Sequence, residues 1–457
     1  MRRLLGKHQL RALFSAYSAN AAGRVTGILL QLALVPLLLK TLGVENYGAL
    51  VLYNTLITSG MLLDMGMSQS VAKFVAEHRR KARLLREVKN SAWFVYLALS
   101  TLFAAICLLI APVMALLGIP TPKVGSLDLT TFTTICAIGV FPYMQHFLFV
   151  EVARGLMRYR AVAAAEITQQ VLSQSFAITL ALITRNLVFV FLGQIAATAI
   201  VAAGMWTYLK VQQQVTVGGG FNLNYFRRRI LPYSRGVWLQ AIFSFASSSA
   251  DRFIIVGTLG FASLGYYNIA FSAAGAVMSV VIQGAAFVTP MVANRAKDFE
   301  WCRMVFERVI LGMSIVSGLV ALTLTFTGHI LLSLWIDAET ATKVYHAFVI
   351  ILWFFAFQST STAQTSVANV IGKIRVVTVF SVSYAILSTI CTAVLGLMFA
   401  MPGILLARAV MIVLGLISRS LIYKYSFHNA SILGVAKYSL PLLIPAAIIV
   451  PWAWLHL

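Results

Sequence analysis

Acidic residues are scarce in this chain: 13 Asp and Glu stand against 35 Lys and Arg in 457 residues, and charge of either sign makes up only 11%. A soluble domain carries about 25% charged residues, so too little polar side chain is present to cover a water-facing surface. Cysteine is equally sparse. Cys107, Cys136, Cys302 and Cys391 form no CxxC pair, which excludes a disulfide scaffold and leaves them as small packing residues. The seven histidines (His8, His78, His146, His329, His346, His428 and His456) show no ligand spacing, so neither a metal site nor a cofactor is expected. Long loops are missing too. The largest connection, near 210–233, holds Gly218–Gly220 and Arg227–Arg229 without Walker or Rossmann spacing, and reads as a flexible linker.

What is abundant is apolar sequence: 60% of the residues are hydrophobic. A membrane-spanning helix needs about 20 apolar residues. Thirteen stretches qualify, at 13–40, 47–74, 91–118, 129–153, 162–184, 187–209, 234–259, 265–292, 305–333, 344–370, 376–400, 403–424 and 437–456. The expectation is an all-α polytopic membrane protein. The first stretch contains Arg24 and runs on to Leu39, which describes a membrane helix better than a cleavable signal.

The net charge of +22 reads as a topology signal, not as a nucleic-acid surface. With the N-terminus in the cytoplasm, 28 Lys and Arg fall on cytoplasmic segments and four (Lys40, Lys123, Arg185 and Lys343) on outer ones. That bias follows the positive-inside rule. Trp93, Trp206, Trp238, Trp335, Trp452 and Trp454 lie near span ends, where an aromatic belt belongs.

A repeat lies in the connections. TLGVENYG (41–48) and TLGFASLG (258–265) share the form T-L-G-x4-G at an offset of 217. Val152-Ala153 with Arg158 and Arg160 lines up with Val367-Ala368 with Lys373 and Arg375 at an offset of 215. Both matches fall at equivalent places in a six-span set, and six spans preserve orientation, so two parallel lobes are expected. The lobes are assigned to 1–209 and 234–425, with a cytoplasmic linker at 210–233 and an extra membrane segment at 426–457.

Ionisable residues within spans are costly and mark cavities or partners. In the first span, Tyr17, Asn20, Arg24, Gly27 and Gln31 make one polar stripe. In the second, Tyr53, Gly60, Asp64 and Ser68 share a face; in the seventh, Gln240, Ser244, Ser247, Asp251 and Thr258; in the tenth, Gln358, Ser361, Thr365 and Asn369. The simplest geometry aims these stripes at a hydrated cavity between the halves. Simpler readings stand beside it. Arg24 pairs with Asp64 as a staple, or Asp251 is satisfied by neighbouring serines. Arg252, about 100° round the helix from Asp251, packs or snorkels. Arg408, with apolar neighbours near the outer end, snorkels. Glu151 and Glu166 lie beside Arg154, Arg158 and Arg160 and read as surface ion pairs.

VPLLLKTLGVENYGALVLYNTLITSGMLLDMGMSQSVAKFVAE and LPYSRGVWLQAIFSFASSSADRFIIVGTLGFASLGYYNIA resemble the opening helices of the two halves of bacterial oligosaccharide flippases, in the multidrug/oligosaccharidyl-lipid/polysaccharide exporter superfamily. Thirteen spans depart from that family's usual twelve or fourteen. The resemblance implies a multi-pass inner-membrane flippase of undecaprenyl-pyrophosphate-linked oligosaccharide for surface polysaccharide synthesis, working by alternating access. It is expected to be a monomer, with membrane lipids and polysaccharide assembly proteins as partners. Arg24, Asn20, Gln31, Tyr17, Gln240, Gln358, Asn369, Arg252 and Arg408 are then substrate-binding candidates, Arg24 offering a fork for the pyrophosphate. Asp64 and Asp251 are candidates for coupling to H+ or Na+. A drug exporter of the same superfamily is the alternative. It calls for a carboxylate-dominated cavity, against which Arg24 argues. An enzyme is not expected, because the outer loops are short and hold few catalytic candidates (Asp128, Asp337 and Glu339).

Overall fold

In the computed structural model, the described residues are 7–60, 67–78, 82–118, 121–211, 222–223, 226–284, 292, 298–427 and 433–457; most side chains before residue 32, and several between 232 and 244, lie outside the description. The N-terminal half comprises α1 (Lys7–Ser59), α2 (Met67–His78), α3 (Ala82–Leu116), the strands β1 (Lys123–Val124) and β2 (Leu127–Asp128), α4 (Leu129–Gly155), α5 (Tyr159–Thr184) and α6 (Leu187–Val211). After a π-helical turn at Phe226–Ile230 come α7 (Leu231–Gly284), α8 (Phe299–Trp335), α9 (Ala338–Val370), α10 (Ile374–Ser426) and α11 (Leu433–Leu455). In hydrocarbon no water satisfies backbone groups, so an apolar chain of this kind resolves into helices.

Three of these helices are two spans joined at a sharp corner. α1 turns at Gly43 (φ 79°), α7 at Gly260 (φ 81°) and α10 at Ala400 (φ 55°). Among the described residues nine helices are long and apolar enough to cross a membrane. Dividing the three at their corners, and adding α5, whose Glu166, Gln169, Gln170 and Gln174 lower its hydropathy, accounts for the thirteen expected spans. The second expected span, 47–74, includes 61–66, which lie outside the described residues; α2 begins after them.

The described residues form two compact units, one up to residue 245 and one from 246 to 457. In the first, α4 packs against α2, α3 and α6, while α5 packs against α1 and α6. In the second, α9 packs against α8, α10 and α11, and α11 also touches α8 and α10. α4 and the matching part of α9 are the most buried of the candidate spans, at 67% each. Each is the central helix of its unit and is sheathed by helices whose outer faces are apolar.

The repeat extends to atomic detail. Gly43 and Gly260, the glycines of T-L-G-x4-G, take the same left-handed conformation at the same corner. At the ends of α4 and α9 the hydrogen bonds Leu156 N to Val152 O, Met157 N to Arg154 O and Arg158 N to Ala153 O recur as Ile371 N to Val367 O, Gly372 N to Asn369 O and Lys373 N to Ala368 O. Every donor and acceptor is displaced by 215 residues. The starts of both helices match as well. Asp128 accepts from Thr131 N and Asp337 from Thr340 N, each at 2.8 Å. Asp128 and Asp337 are therefore helix caps, and Glu339 pairs with Lys343 at 2.6 Å. The backbone amide and hydroxyl of Thr131 hold the Asp128 carboxyl below the ordinary carboxylate range.

The small hairpin β1–β2 was not anticipated. Val124-Gly125-Ser126-Leu127 turns through Gly125 (φ 62°), and Ser126 N donates to Asn46 Oδ1 at 2.8 Å. The hairpin is thereby fastened to the start of the second span.

Candidate functional site

Two buried arginines of the C-terminal unit share one face of α10. Beyond the Ala400 corner, Arg408, Ile412, Gly415 and Arg419 recur at helical spacing, and three full turns separate the two arginines. Opposite them α9 presents Phe354, Phe357, Thr360 and Gln364. Arg408 lies 4.9 Å from the centre of the Phe354 ring and Arg419 3.8 Å from that of Phe357. Both are cation–π geometries.

Arg408 meets Asp251 in a fully buried ion pair, with side chains 3% and 1% exposed. Tyr267 closes the triad. Its hydroxyl donates to Asp251 Oδ2 and accepts from Arg408 Nε and a terminal nitrogen at 3.3 and 3.2 Å. The backbone N–H of Arg252 supplies Asp251 Oδ1 at 2.9 Å. The expectation that Arg408 snorkels is overturned: it is one of the least accessible cations in the unit, and it answers the charge that local serines were expected to satisfy. Arg252 packs, 5.2 Å from the Phe271 ring centre.

The seventh-span stripe turns inward within its own unit. Ser247 Oγ lies 2.7 Å from Ser388 Oγ of α10, and Asp251 reaches Arg408 of the same helix, so these two members are bonded within their own unit. Thr258 bonds back to Ile254 O at 2.8 Å. Gln358 is half-buried on α9, while Asn369 is exposed at its last turn, where its carbonyl serves the terminal turn.

Arg419 was missed because it was counted among loop cations. It is 4% exposed, and its guanidinium donates to Thr360 Oγ1 and to Phe357 O at 2.7 Å. Gln364 Nε2 donates to Arg419 O at 2.8 Å. Arg419 Nε and Gln364 Oε1 have no partner, and no ion pair to Arg419 occurs among the described residues. The eleven-residue spacing from Arg408 was the available signal. Tyr267 lay hidden for another reason: it follows the Gly260 corner that Asp251 precedes, so no single-helix periodicity relates them.

A cleft of about 250 Å³ opens beside the corners at Gly260 and Ala400, lined by Ser263, Tyr266, Tyr267, Lys343 and Pro402 among others. Tyr267 therefore stands between this cleft and the ion pair.

In the N-terminal unit one group of described polar side chains sits around α5. A Cβ on Gly27 would meet the Gln170 side chain at 2.1 Å, so this member of the first-span stripe lies against α5. Gln169 Nε2 reaches Thr198 Oγ1 of α6 at 3.4 Å, and the buried Gln174 Oε1 and Gln194 Oε1 have no partner. Arg154 joins α4 to α5 through Glu151 and Glu166; Glu151 is buried, not a surface residue as expected. The side chains of Tyr17, Asn20, Arg24, Gln31 and Gln240, and the whole of Asp64, lie outside the described residues.

Residues 37–317 match the family described as "Polysaccharide biosynthesis protein". The chain belongs to this family. No curated protein matches it. Among solved structures, this member of the polysaccharide biosynthesis family is similar to the lipid II flippase MurJ in an inward closed conformation, with TM-score 0.67 and 14% identity over 96% of this chain and 97% of that one. It is similar to an inward-facing multidrug resistance MATE transporter, with TM-score 0.63 and 14% identity over 89% and 98%. The multidrug transporter DinF-BH in complex with R6G gives TM-score 0.61 and 16% identity over 94% and 98%. At these identities the likeness establishes the fold: two helical lobes in a multi-pass membrane protein.

Proposed function

We propose that this protein is a flippase that carries an undecaprenyl-pyrophosphate-linked oligosaccharide across the bacterial inner membrane for surface polysaccharide synthesis. Its two lobes alternate access, with H+ or Na+ as the coupling ion. The observation that carries this reading is the family match over 37–317. The fold shared with a lipid II flippase supports it. So does the chemistry of the described interior of the C-terminal unit, where two buried arginines, Arg408 and Arg419, outnumber the one buried carboxylate, Asp251. An interior with surplus positive charge suits a pyrophosphate and opposes a cationic drug. The likeness to MATE transporters keeps drug export as the competing reading, and charge selectivity separates the two.

In this reading Arg24 holds the head group. It lies eleven residues into the expected first span, about 16 Å along the helix axis, too deep for easy snorkelling, and a cation at that depth has to see water, a carboxylate or a phosphate. Gln170 of α5, packed on Gly27 one turn away, joins the hydroxyl-binding surface. Asp64 carries the coupling ion. Asp251 serves that purpose only when Arg408 leaves it, and Tyr267 gives the adjoining cleft access to the pair.

Deleting the gene is expected to strip the surface glycan while lipid-linked intermediates accumulate on the cytoplasmic side. Complementation with Arg24→Ala is expected to fail at normal protein level, and Arg24→Lys to restore part of the export, because charge survives without the fork. Normal export by Arg24→Ala defeats the head-group assignment. Restored export in Arg24→Ala/Asp64→Ala identifies a mere staple instead.

A further inference from the structure

A second cleft, of about 360 Å³, lies in the N-terminal unit between α3, α4 and α6. Its walls are Trp93 and Leu97 of α3, Phe141 and Phe149 of α4, and Trp206 of α6, over small residues such as Ala203. Each helix contributes residues four apart, so three parallel ridges enclose a trough roughly 12 Å long, the rise of the eight residues from Phe141 to Phe149. Exposed Phe94, Leu102 and Trp206 mark this side of the unit as lipid-facing.

Hydrocarbon alone would fill such a trough, but Gln145 does not fit hydrocarbon. It lines the cleft midway between Phe141 and Phe149, and both its amide atoms are buried without a hydrogen-bond partner. Burying an unpaired amide is costly, and a leucine there would avoid the cost. An isoprenoid or acyl chain offers neither donor nor acceptor. The occupant has to bring a polar group to this depth.

Positive charge marks one end of the trough. Lys210, one turn beyond Trp206, lies with its ammonium 4.9 Å from that ring's centre. Lys89 occupies the corresponding place on the α3 ridge, one turn before Trp93. The up-and-down order of the helices brings both to the same end. Trp206 lies five residues from the end of α6 and Gln145 ten from the end of α4, a difference of roughly 8 Å of rise. A phosphate beside Lys210 therefore leaves the ester region of a glycerolipid beside Gln145.

We propose that this trough is a binding site for an anionic glycerophospholipid of the surrounding leaflet. The phosphate pairs with Lys210, an ester carbonyl accepts from Gln145 Nε2, and a water of the hydrated ester region donates to Oε1. One acyl chain lies along the aromatic walls, and the lipid ties α3 to α6 across α4. The site is separate from the path assigned to the transported lipid.

The test uses the full-length protein, delipidated in an uncharged detergent and titrated with dioleoyl-phosphatidylglycerol while bound lipid is counted by native mass spectrometry. Saturable binding is expected, with dioleoyl-phosphatidylcholine at least tenfold weaker. Gln145→Leu and Lys210→Ala are each expected to weaken phosphatidylglycerol about tenfold, and Ala203→Trp, at an exposed position on the trough floor, to abolish the bound molecule. Gln145→Leu removes an unpaired amide and so is expected to melt no lower than the parent protein. Equal binding of the two lipids, or unchanged phosphatidylglycerol binding in both Gln145→Leu and Ala203→Trp, overturns the proposal. Displacement of phosphatidylglycerol by equimolar undecaprenyl phosphate also overturns it, because the trough then belongs to the transported lipid.

Discussion

Asp251 and Arg408 are 157 residues apart and share one buried pair. Neither charge is free to go without the other, because an unpaired ion in this setting loses its solvation with nothing in return. Arg408→Ala, which strands Asp251 and Tyr267, is expected to cost about 3–5 kcal/mol of stability. Asp251→Leu/Arg408→Leu is expected to come close to the parent, since two apolar groups replace a pair whose desolvation offset most of its attraction. Thermal melting in detergent checks this. A double variant as unstable as Arg408→Ala assigns the loss to packing instead. At this scale the sequence revealed that charges lay in the spans but not how they met. Asp251 and Arg408 each stood out on its own helix, and only tertiary structure joins them. Arg419 was legible at three turns from Arg408, yet it was absorbed into a count of loop cations because the apolar run weakens around it.

The corners of α1, α7 and α10 are where the chain reverses without a loop. Gly43 and Gly260 have left-handed φ and open space where a Cβ would go, so glycine is required by backbone conformation and not by crowding. Gly43→Ala and Gly260→Ala are each expected to lose about 1 kcal/mol. Ala400 holds φ 55° and ψ −133° with a Cβ in place. Ala400→Gly is therefore expected to change stability in the opposite direction, by up to about 1 kcal/mol. Melting of the three variants side by side tests the account, and a loss in Ala400→Gly matching those of the glycine variants contradicts it. Elements were the most legible level. The long apolar runs marked most spans to within a few residues, the start of α3 lying nine residues before the expected 91, and T-L-G-x4-G marked both glycine corners. The hairpin at Val124–Leu127 escaped notice because two-residue strands carry no periodicity, although Gly125-Ser126 is a hairpin signal.

For the whole molecule, the bias of cations toward alternate connections predicts an orientation that labelling can read. Single cysteines at Ala82 and Ser126 are expected to be cytoplasmic and external respectively, the second being exposed in the hairpin. Labelling of Ala82→Cys from outside reverses the orientation. The two-lobe repeat was legible because the connections recur, and the caps at Asp128 and Asp337 extend that repeat. The site was less legible: Ser247 and Asp251 bond to α10 of their own unit, which the periodicity of a single helix does not reveal. The most direct measurement reconstitutes the protein in liposomes with undecaprenyl-pyrophosphate-linked oligosaccharide labelled on its sugar, and follows how much label a membrane-impermeant reagent reaches. The account predicts that the reachable fraction rises with time in parent liposomes and stays at the protein-free level with Arg24→Ala. A parent protein that leaves this lipid at the protein-free level, while moving a cationic dye across the same membranes, would contradict it.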